Sequence, residues 1–248
     1  MAEALDMKFQ EFSRYEFKYL LDANRRKNIE REVQMFMSYD GHAMGDDAKS
    51  YFVRSLYFDN SAMKNFYEKI DGVRSRSKYR LRTYSKNAGD APTFLEKKSR
   101  KINRVLKERT LISSDDAHLF KPPINLDRLL RKYQKNRLVN EFVGSMLREI
   151  LNPVLVVDYF RSPYTSQYDA NFRVTFDDCL SAYPSDTLFA DGTGLKKVIA
   201  GYTILEVKFN RKIPSWFHRI IQAYNLERLS ISKYVAAAKE TGMAIDLS

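Results

Sequence analysis

The stretch Arg74–Arg82 reads RSRSKYRLR. Its even positions, Arg74, Arg76, Lys78, Arg80 and Arg82, are all cationic, and its odd positions are Ser75, Ser77, Tyr79 and Leu81. Alternation with period two predicts a β-strand, so one face carries five cations and no acid. Neighbouring charges on that face lie ~7 Å apart, two strand rises. At an effective dielectric near 20, each pair repels by ~2 kcal/mol before salt screening. An anionic ligand facing the strand accounts for such a face better than water does.

The same phase recurs outward from this stretch. Thr93–Arg100 places Glu96, Lys98 and Arg100 on one face, and Asn103–Leu111 places Lys107 and Arg109 on one face. In FRVTFD, Arg173, Thr175 and Asp177 oppose Phe172, Val174 and Phe176; in ILEVKFN, Glu206 and Lys208 oppose Leu205, Val207 and Phe209. Arg14, Glu16 and Lys18 oppose Tyr15, Phe17, Tyr19 and Leu21. Any one of these reads as an ordinary solvated face or a charge-protected edge. Together they predict charged faces turned into a lumen and aromatic faces turned outward under helices.

About eight strands are expected, several joined by connections too short for parallel crossovers, which predicts antiparallel pairing. The expected fold class is α+β, an antiparallel eight-stranded β-barrel or tunnel with helices packed outside. Helices are expected over 24–37 behind an Asp22 cap, from Asp59-Asn60 to near Gly72, over 125–150, from Pro214 to Tyr224, and after a Ser232 cap.

The chain of 248 residues carries a net charge of +11 and is read as one domain spanning 1–248. Between Arg74 and Arg109 stand thirteen Lys or Arg against Asp90, Glu96 and Glu108, so nearly all the excess sits in one stretch. Charge concentrated this way implies an anionic partner. The single cysteine, Cys179, rules out an internal disulfide and suits a reducing compartment. No apolar run approaches the ~20 residues of a membrane span. The N-terminal MAEALDMKFQEF lacks signal-peptide pattern. A cytoplasmic location is expected, with any peripheral attachment to a membrane supplied by a membrane-protein partner. His42, His118 and His218 have no metal-ligand spacing, and neither a Ser-His-Asp pattern nor a glycine-rich phosphate loop is present. A lumen of Arg, Lys and a few carboxylates suits phosphates with Mn²⁺ or Mg²⁺, which take carboxylate and phosphate oxygen together.

An ordered set of short pieces resembles the triphosphate tunnel metalloenzymes, and within them the vacuolar transporter chaperone (VTC) domain, a polyphosphate polymerase. The pieces are YEFKY with Glu16 and Lys18, YFDN from Tyr57, YRLR with Arg80 and Arg82, LEKK with Glu96 and Lys98, and LKER with Lys107. Then come FRSPY with Arg161, FRVTFD with Arg173, LEVK with Glu206 and Lys208, and SKY with Lys233. The resemblance runs from Arg14 to about Val235 and implies an eight-stranded tunnel in which the γ-phosphate of ATP moves onto a growing polyphosphate chain. It implies that Lys18, Arg80, Arg82, Lys98, Lys107, Arg161, Arg173, Lys208 and Lys233 are phosphate ligands. Glu206 is the implied metal ligand, ahead of Glu16, Glu96 and Asp177. Many hydrolytic members carry Glu-x-Glu-x-Lys on the first strand; here the run is Arg14-Tyr15-Glu16-Phe17-Lys18, with arginine replacing the first glutamate. The phosphate-sensor and membrane segments of the eukaryotic polymerase have no counterpart in these residues.

Two other readings compete. One is a metal-dependent tripolyphosphatase or nucleoside triphosphatase on the same scaffold. The other is a non-catalytic module for polyphosphate or RNA, since single-strand binders interleave aromatics with cations. Tyr79 lies on the face opposite Arg80 and Arg82, which disfavours nucleic acid, although Phe94 shares phase with Glu96.

Overall fold

The structure, a computed structural model, describes residues 14–40, 49–102, 104–169 and 171–246. The MAEALDMKFQEF stretch, the Gly/Asp-rich loop around Gly41–Asp47 with His42, and Asn103 lie outside the described residues.

The elements run β1 (Tyr15–Leu21), α1 (Ala23–Gln34), β2 (Met37–Tyr39), β3 (Tyr51–Asp59), α2 (Lys64–Ile70), β4 (Ser75–Thr83), β5 (Thr93–Lys101) and β6 (Arg104–Ile112). A 3-10 turn over Ser114–Phe120 leads to α3 (Leu126–Lys132), α4 (Arg137–Glu149), β7 (Asn152–Ser166), β8 (Arg173–Pro184), β9 (Lys196–Lys197), β10 (Thr203–Phe209), α5 (Ser215–Ala223) and α6 (Lys233–Glu240). The strands form one antiparallel sheet in the order β1-β10-β8-β7-β3-β4-β5-β6, with β2 and β9 as short additions to β7 and β8.

The sheet curls until its ends touch, but it is not a closed barrel, which corrects the expectation of closure. Among the described residues its edge strands meet at one antiparallel bridge, Arg14 with Val105. Arg14 N–H donates to the Val105 carbonyl at 3.4 Å and Val105 N–H donates back at 3.2 Å. Arg14 immediately precedes β1 and Val105 is the second residue of β6.

Period two sorts the side chains as expected. The outer faces of β3, β4 and β5 bury Leu56, Tyr79, Leu81 and Leu95 against Leu138, Phe142 and Met146 of α4. The outer faces of β1, β8 and β10 bury Tyr19, Phe176, Leu205 and Val207 with Ile29 and Val33 of α1 and Phe217 and Ile220 of α5. One group departs from "helices outside". Tyr234, Val235, Ala237 and Ala238 of α6 join Val53, Tyr57, Val157 and Tyr159, which share the inner phase of β3 and β7. This end of the inner face carries Val, Leu and Ala in place of charge, so an apolar helix fills it. Tyr234 Oη anchors the helix by donating to the buried Asp59 carboxylate at 2.5 Å. No helix among the described residues is long and apolar enough to cross a membrane.

Candidate phosphate-binding cavity

The inner face left by α6 encloses a cavity of about 1160 Å³, lined among the described residues by sixteen Lys or Arg and four carboxylates, Glu16, Asp40, Asp90 and Glu206. All nine cations singled out from the sequence line it: Lys18, Arg80, Arg82, Lys98, Lys107, Arg161, Arg173, Lys208 and Lys233. The strands bring them together because successive inward positions on β4, β5, β6, β8 and β10 fall in register, Arg80 opposite Glu96, Lys98 opposite Lys107, and Lys208 opposite Arg173.

Four carboxylates organise these cations into two clusters. On the β4–β6 side, Glu96 is fully buried. It accepts from Arg80 at 2.8 Å and lies 2.5 Å from Lys107 Nζ and 3.8 Å from Arg82 Nε. Arg80 also donates to Tyr57 Oη at 2.9 Å, and Arg82 to Ser55 Oγ and Tyr159 Oη, each at 3.1 Å. On the other side, Asp177 is fully buried and holds Arg161 through both its oxygens at 2.6 and 2.7 Å, with Lys233 at 2.5 Å. Glu206 is surrounded by Lys233 at 2.6 Å, Lys208 at 3.1 Å, Lys18 at 3.3 Å and Arg161 at 3.4 Å. Glu16 connects the clusters, 2.9 Å from Lys98 and 3.3 Å from Lys18. Arg173 lies nearer the opening, 3.2 Å from Asp40.

Burial alone would raise the carboxyl pKa values of Glu16, Glu96, Asp177 and Glu206, but the adjacent cations outweigh it and hold all four below the usual carboxylate range. The cations fare unequally. Burial pushes Lys78, Lys107 and Lys208 down to about 7, with neighbouring cations adding to the effect. Lys233 is more deeply buried than these but faces Asp177 and Glu206, and it is raised. Lys78 donates to Ser232 Oγ at 3.3 Å and lies over the rings of Tyr57 and Tyr234.

Glu206 and Glu16 are the carboxylates that line the cavity beside one another, with Lys18 Nζ 3.3 Å from each. Among the described residues no group of three or more His, Cys, Asp or Glu gathers to cage a metal. The donor set therefore fits a hard cation of the Mg²⁺ or Mn²⁺ kind, held by one or two carboxylates and completed by phosphate oxygen and water. Glu96 and Asp177 stand behind the wall rather than lining it.

Further residues line the cavity beyond the nine implied phosphate ligands. Lys78 and Arg109 carried the signal, since they share phase with Arg80 and Lys107. Arg14 lines the cavity too, in phase with Glu16 and Lys18 and at the position where many hydrolytic members carry glutamate. Arg228 lies on an irregular segment with no period to betray it; that segment follows β1, Leu229 N–H donating to the Lys18 carbonyl at 2.8 Å and Lys18 Nζ to the Ile231 carbonyl at 3.0 Å. Arg76 lines the cavity mouth, whereas Arg74, Lys101 and Arg104 are exposed and stand outside it.

The VTC domain family model matches residues 13–241. No curated protein matches the chain by sequence. Among solved structures the chain is similar to a candidate adenylyl cyclase, HpAC1 from Hippeastrum, described as having a dominant triphosphatase activity. Identity is 15%, the match covers 91% of this chain and 95% of that one, and the TM-score is 0.51. This is a likeness of fold. A looser match, at 8% identity and TM-score 0.40 over 86% of this chain and 92% of the other, is to the Schizosaccharomyces pombe Mediator head module, and it carries no argument.

Proposed function

This chain belongs to the VTC-domain family, and from that premise we propose that it is a polyphosphate polymerase that moves the γ-phosphate of ATP onto the end of a polyphosphate chain. The observation that carries the reading is the composition of the enclosed wall, sixteen cations against four carboxylates, with Arg14 among them. Phosphoryl transfer through a loose transition state needs positioning and charge neutralisation far more than covalent help. The attacking group is a terminal phosphate oxygen, already an anion at neutral pH. It bonds to the γ-phosphorus as the bond to the bridging oxygen breaks, and ADP leaves. No proton has to be removed, so no general base is required. A hydrolase must instead orient and deprotonate water, and a wall with an arginine at position 14 suits that task less well.

In this reading Lys18, Arg80, Arg82, Lys98, Lys107, Arg161, Arg173, Lys208 and Lys233 bind the phosphates of donor and acceptor. Glu96 and Asp177 hold the guanidinium groups of Arg80 and Arg161 in fixed directions, so little reorganisation is left for the transition state. Glu206, with Glu16 beside it, would hold Mn²⁺ or Mg²⁺. When bound, the metal supplies charge neutralisation at the transferring phosphates.

The test is gel detection of polyphosphate longer than the nucleotide's own triphosphate, from ATP with Mn²⁺ or Mg²⁺. Wild type should make chains. Glu206→Gln, Arg80→Ala and Arg82→Ala should each lose ~100-fold or more in rate, the typical loss for one preorganised charge-stabilising donor. Arg104→Ala, an exposed charge outside the cavity, should retain activity. Orthophosphate release without chains would assign a triphosphatase. Tight polyphosphate binding with no turnover would assign a binding module.

A further inference from the structure

The cavity lining differs between its two ends along β4 and β5. At one, Arg76 and Arg100 face each other across β4 and β5, with Lys69 of α2 also lining that end. At the other, three half-buried rings meet. Tyr51 and Tyr84 lie edge to face at 5.6 Å between centroids, and Tyr84 and Phe94 at 6.3 Å. The Arg109 guanidinium lies 4.9 Å from the Phe94 centroid, and Asp90 of the β4–β5 turn completes this wall. This end is mixed rather than wholly cationic, with Arg109 and two phenols beside an apolar ring and a carboxylate. Phe94 offers no donor, and Asp90 repels an oxyanion.

The register ties the rings to the phosphate ligands. Phe94 is paired with Arg82 across β4 and β5, and Tyr51 with Arg161 across β3 and β7. Along β5, Phe94 precedes Glu96, the anchor of Arg80, by two residues or ~7 Å. A ligand with a flat aromatic head and a phosphate tail thus meets the rings at the level of Arg82 and Arg161, with Arg80 one step deeper. Asp90 Oδ2 already accepts from Ser85 and Asn87, which fixes the carboxylate at the rim.

We infer that this end is a nucleobase subsite: Tyr84 and Phe94 stack the base of a nucleoside triphosphate, and Asp90 accepts from an exocyclic amino group on that base. The inference rests on the reading of the cavity as a triphosphate site. It adds direction to that reading. The donor nucleotide occupies the aromatic end, and the growing chain extends toward Arg76 and Arg100.

Calorimetric titration with ATP, inosine triphosphate and tripolyphosphate tests it, on wild type, Phe94→Ala, Tyr84→Ala, Tyr84→Phe and Asp90→Ala. From the usual worth of base–aromatic stacking, the two ring-to-alanine variants should weaken ATP roughly tenfold while changing tripolyphosphate by less than about twofold. Tyr84→Phe keeps the ring and should keep ATP affinity. Wild type should prefer ATP to inosine triphosphate, whose base lacks the amino group, and Asp90→Ala should narrow that preference. Equal losses for ATP and tripolyphosphate, or no loss for either, would overturn the base subsite and leave the phosphate site standing. Failure of wild type to bind tripolyphosphate would overturn the phosphate site, and the base subsite with it.

Discussion

Glu96 has no exposed surface, yet three cations depend on it. Removing one partner from a buried ion cluster leaves charge that nothing compensates, typically at ~3–5 kcal/mol. Glu96→Gln keeps the shape and removes the charge, so it should lower the melting temperature of the empty protein by roughly 10 °C for a chain of this size. Millimolar tripolyphosphate should recover part of that loss, because the anion supplies the missing charge. A variant that melts like wild type would mean Glu96 is not the organiser its distances indicate. Alternation alone put Arg80, Arg82, Lys98 and Glu96 on one face, and the cavity has them there. What alternation cannot give is depth. Glu96 and Lys98 share a phase, yet one stands behind the wall and the other lines it. The phenols of Tyr57 and Tyr159, which orient Arg80 and Arg82, were equally hidden, since a tyrosine among aromatics looks like core.

At the scale of elements, the amphipathic stretch from Asn125 to Ile150 reads as one helix but folds as α3 and α4. The break falls at Tyr133–Asn136, where Asn136 caps the second helix by accepting from Val139 N–H at 3.2 Å and donates to Thr110 Oγ1 at 2.6 Å. Apolar spacing survives a tight break of this kind, so periodicity does not reveal it; the Asn does. Asn136→Ala should cost ~1 kcal/mol through the lost cap, a fall of roughly 2–4 °C in melting temperature, with tripolyphosphate affinity unchanged. A fall in affinity would mean α4 positions the cavity as well as covering the sheet. The strands β7 and β8 are long, 15 and 12 residues. Pro163 sits inside β7 without breaking it: Arg161 faces Tyr51, the first residue of β3, and Tyr164 faces Tyr39, the last residue of β2, so Pro163 lies where neither of these strands asks for its missing N–H. In β8 the alternation stops at Asp177 because the register slips opposite Asp158–Phe160, and Cys179 takes a positive φ of 54° there. Beyond that irregularity Leu180 and Ala182 return to the inner face.

The whole molecule concentrates like charge inside a sheet whose edges meet at the Arg14–Val105 bridge, so its stability should depend on what fills the cavity. Lys78, Lys107 and Lys208 titrate at about 7 when folded, because of burial first and the surrounding cations second. In the unfolded chain they titrate near 10.4. Between those values the unfolded state binds more protons than the folded state, so the empty protein should gain stability as pH rises from about 7 toward 10, and lose that gain as pH falls from 10 back to about 7. A polyanion in the cavity favours the charged lysines and raises their pKa values. Binding at pH 8 should therefore take up protons, and affinity should weaken as pH climbs above 7. A terminal phosphate ionises near pH 6, so it contributes little to proton uptake at pH 8. Calorimetry at pH 8 in two buffers of different ionisation heat measures the uptake directly, and melting curves from pH 7 to 9 follow the rest. The empty protein should melt higher at pH 9 than at pH 7, and the upward shift produced by tripolyphosphate, ~2.7 kcal/mol at a hundred times its dissociation constant, should shrink over the same range. No proton uptake, with a ligand shift constant in pH, would mean the three lysines keep their charge in the empty cavity and that the counter-ions Glu16, Glu96, Asp177 and Glu206 already balance the wall.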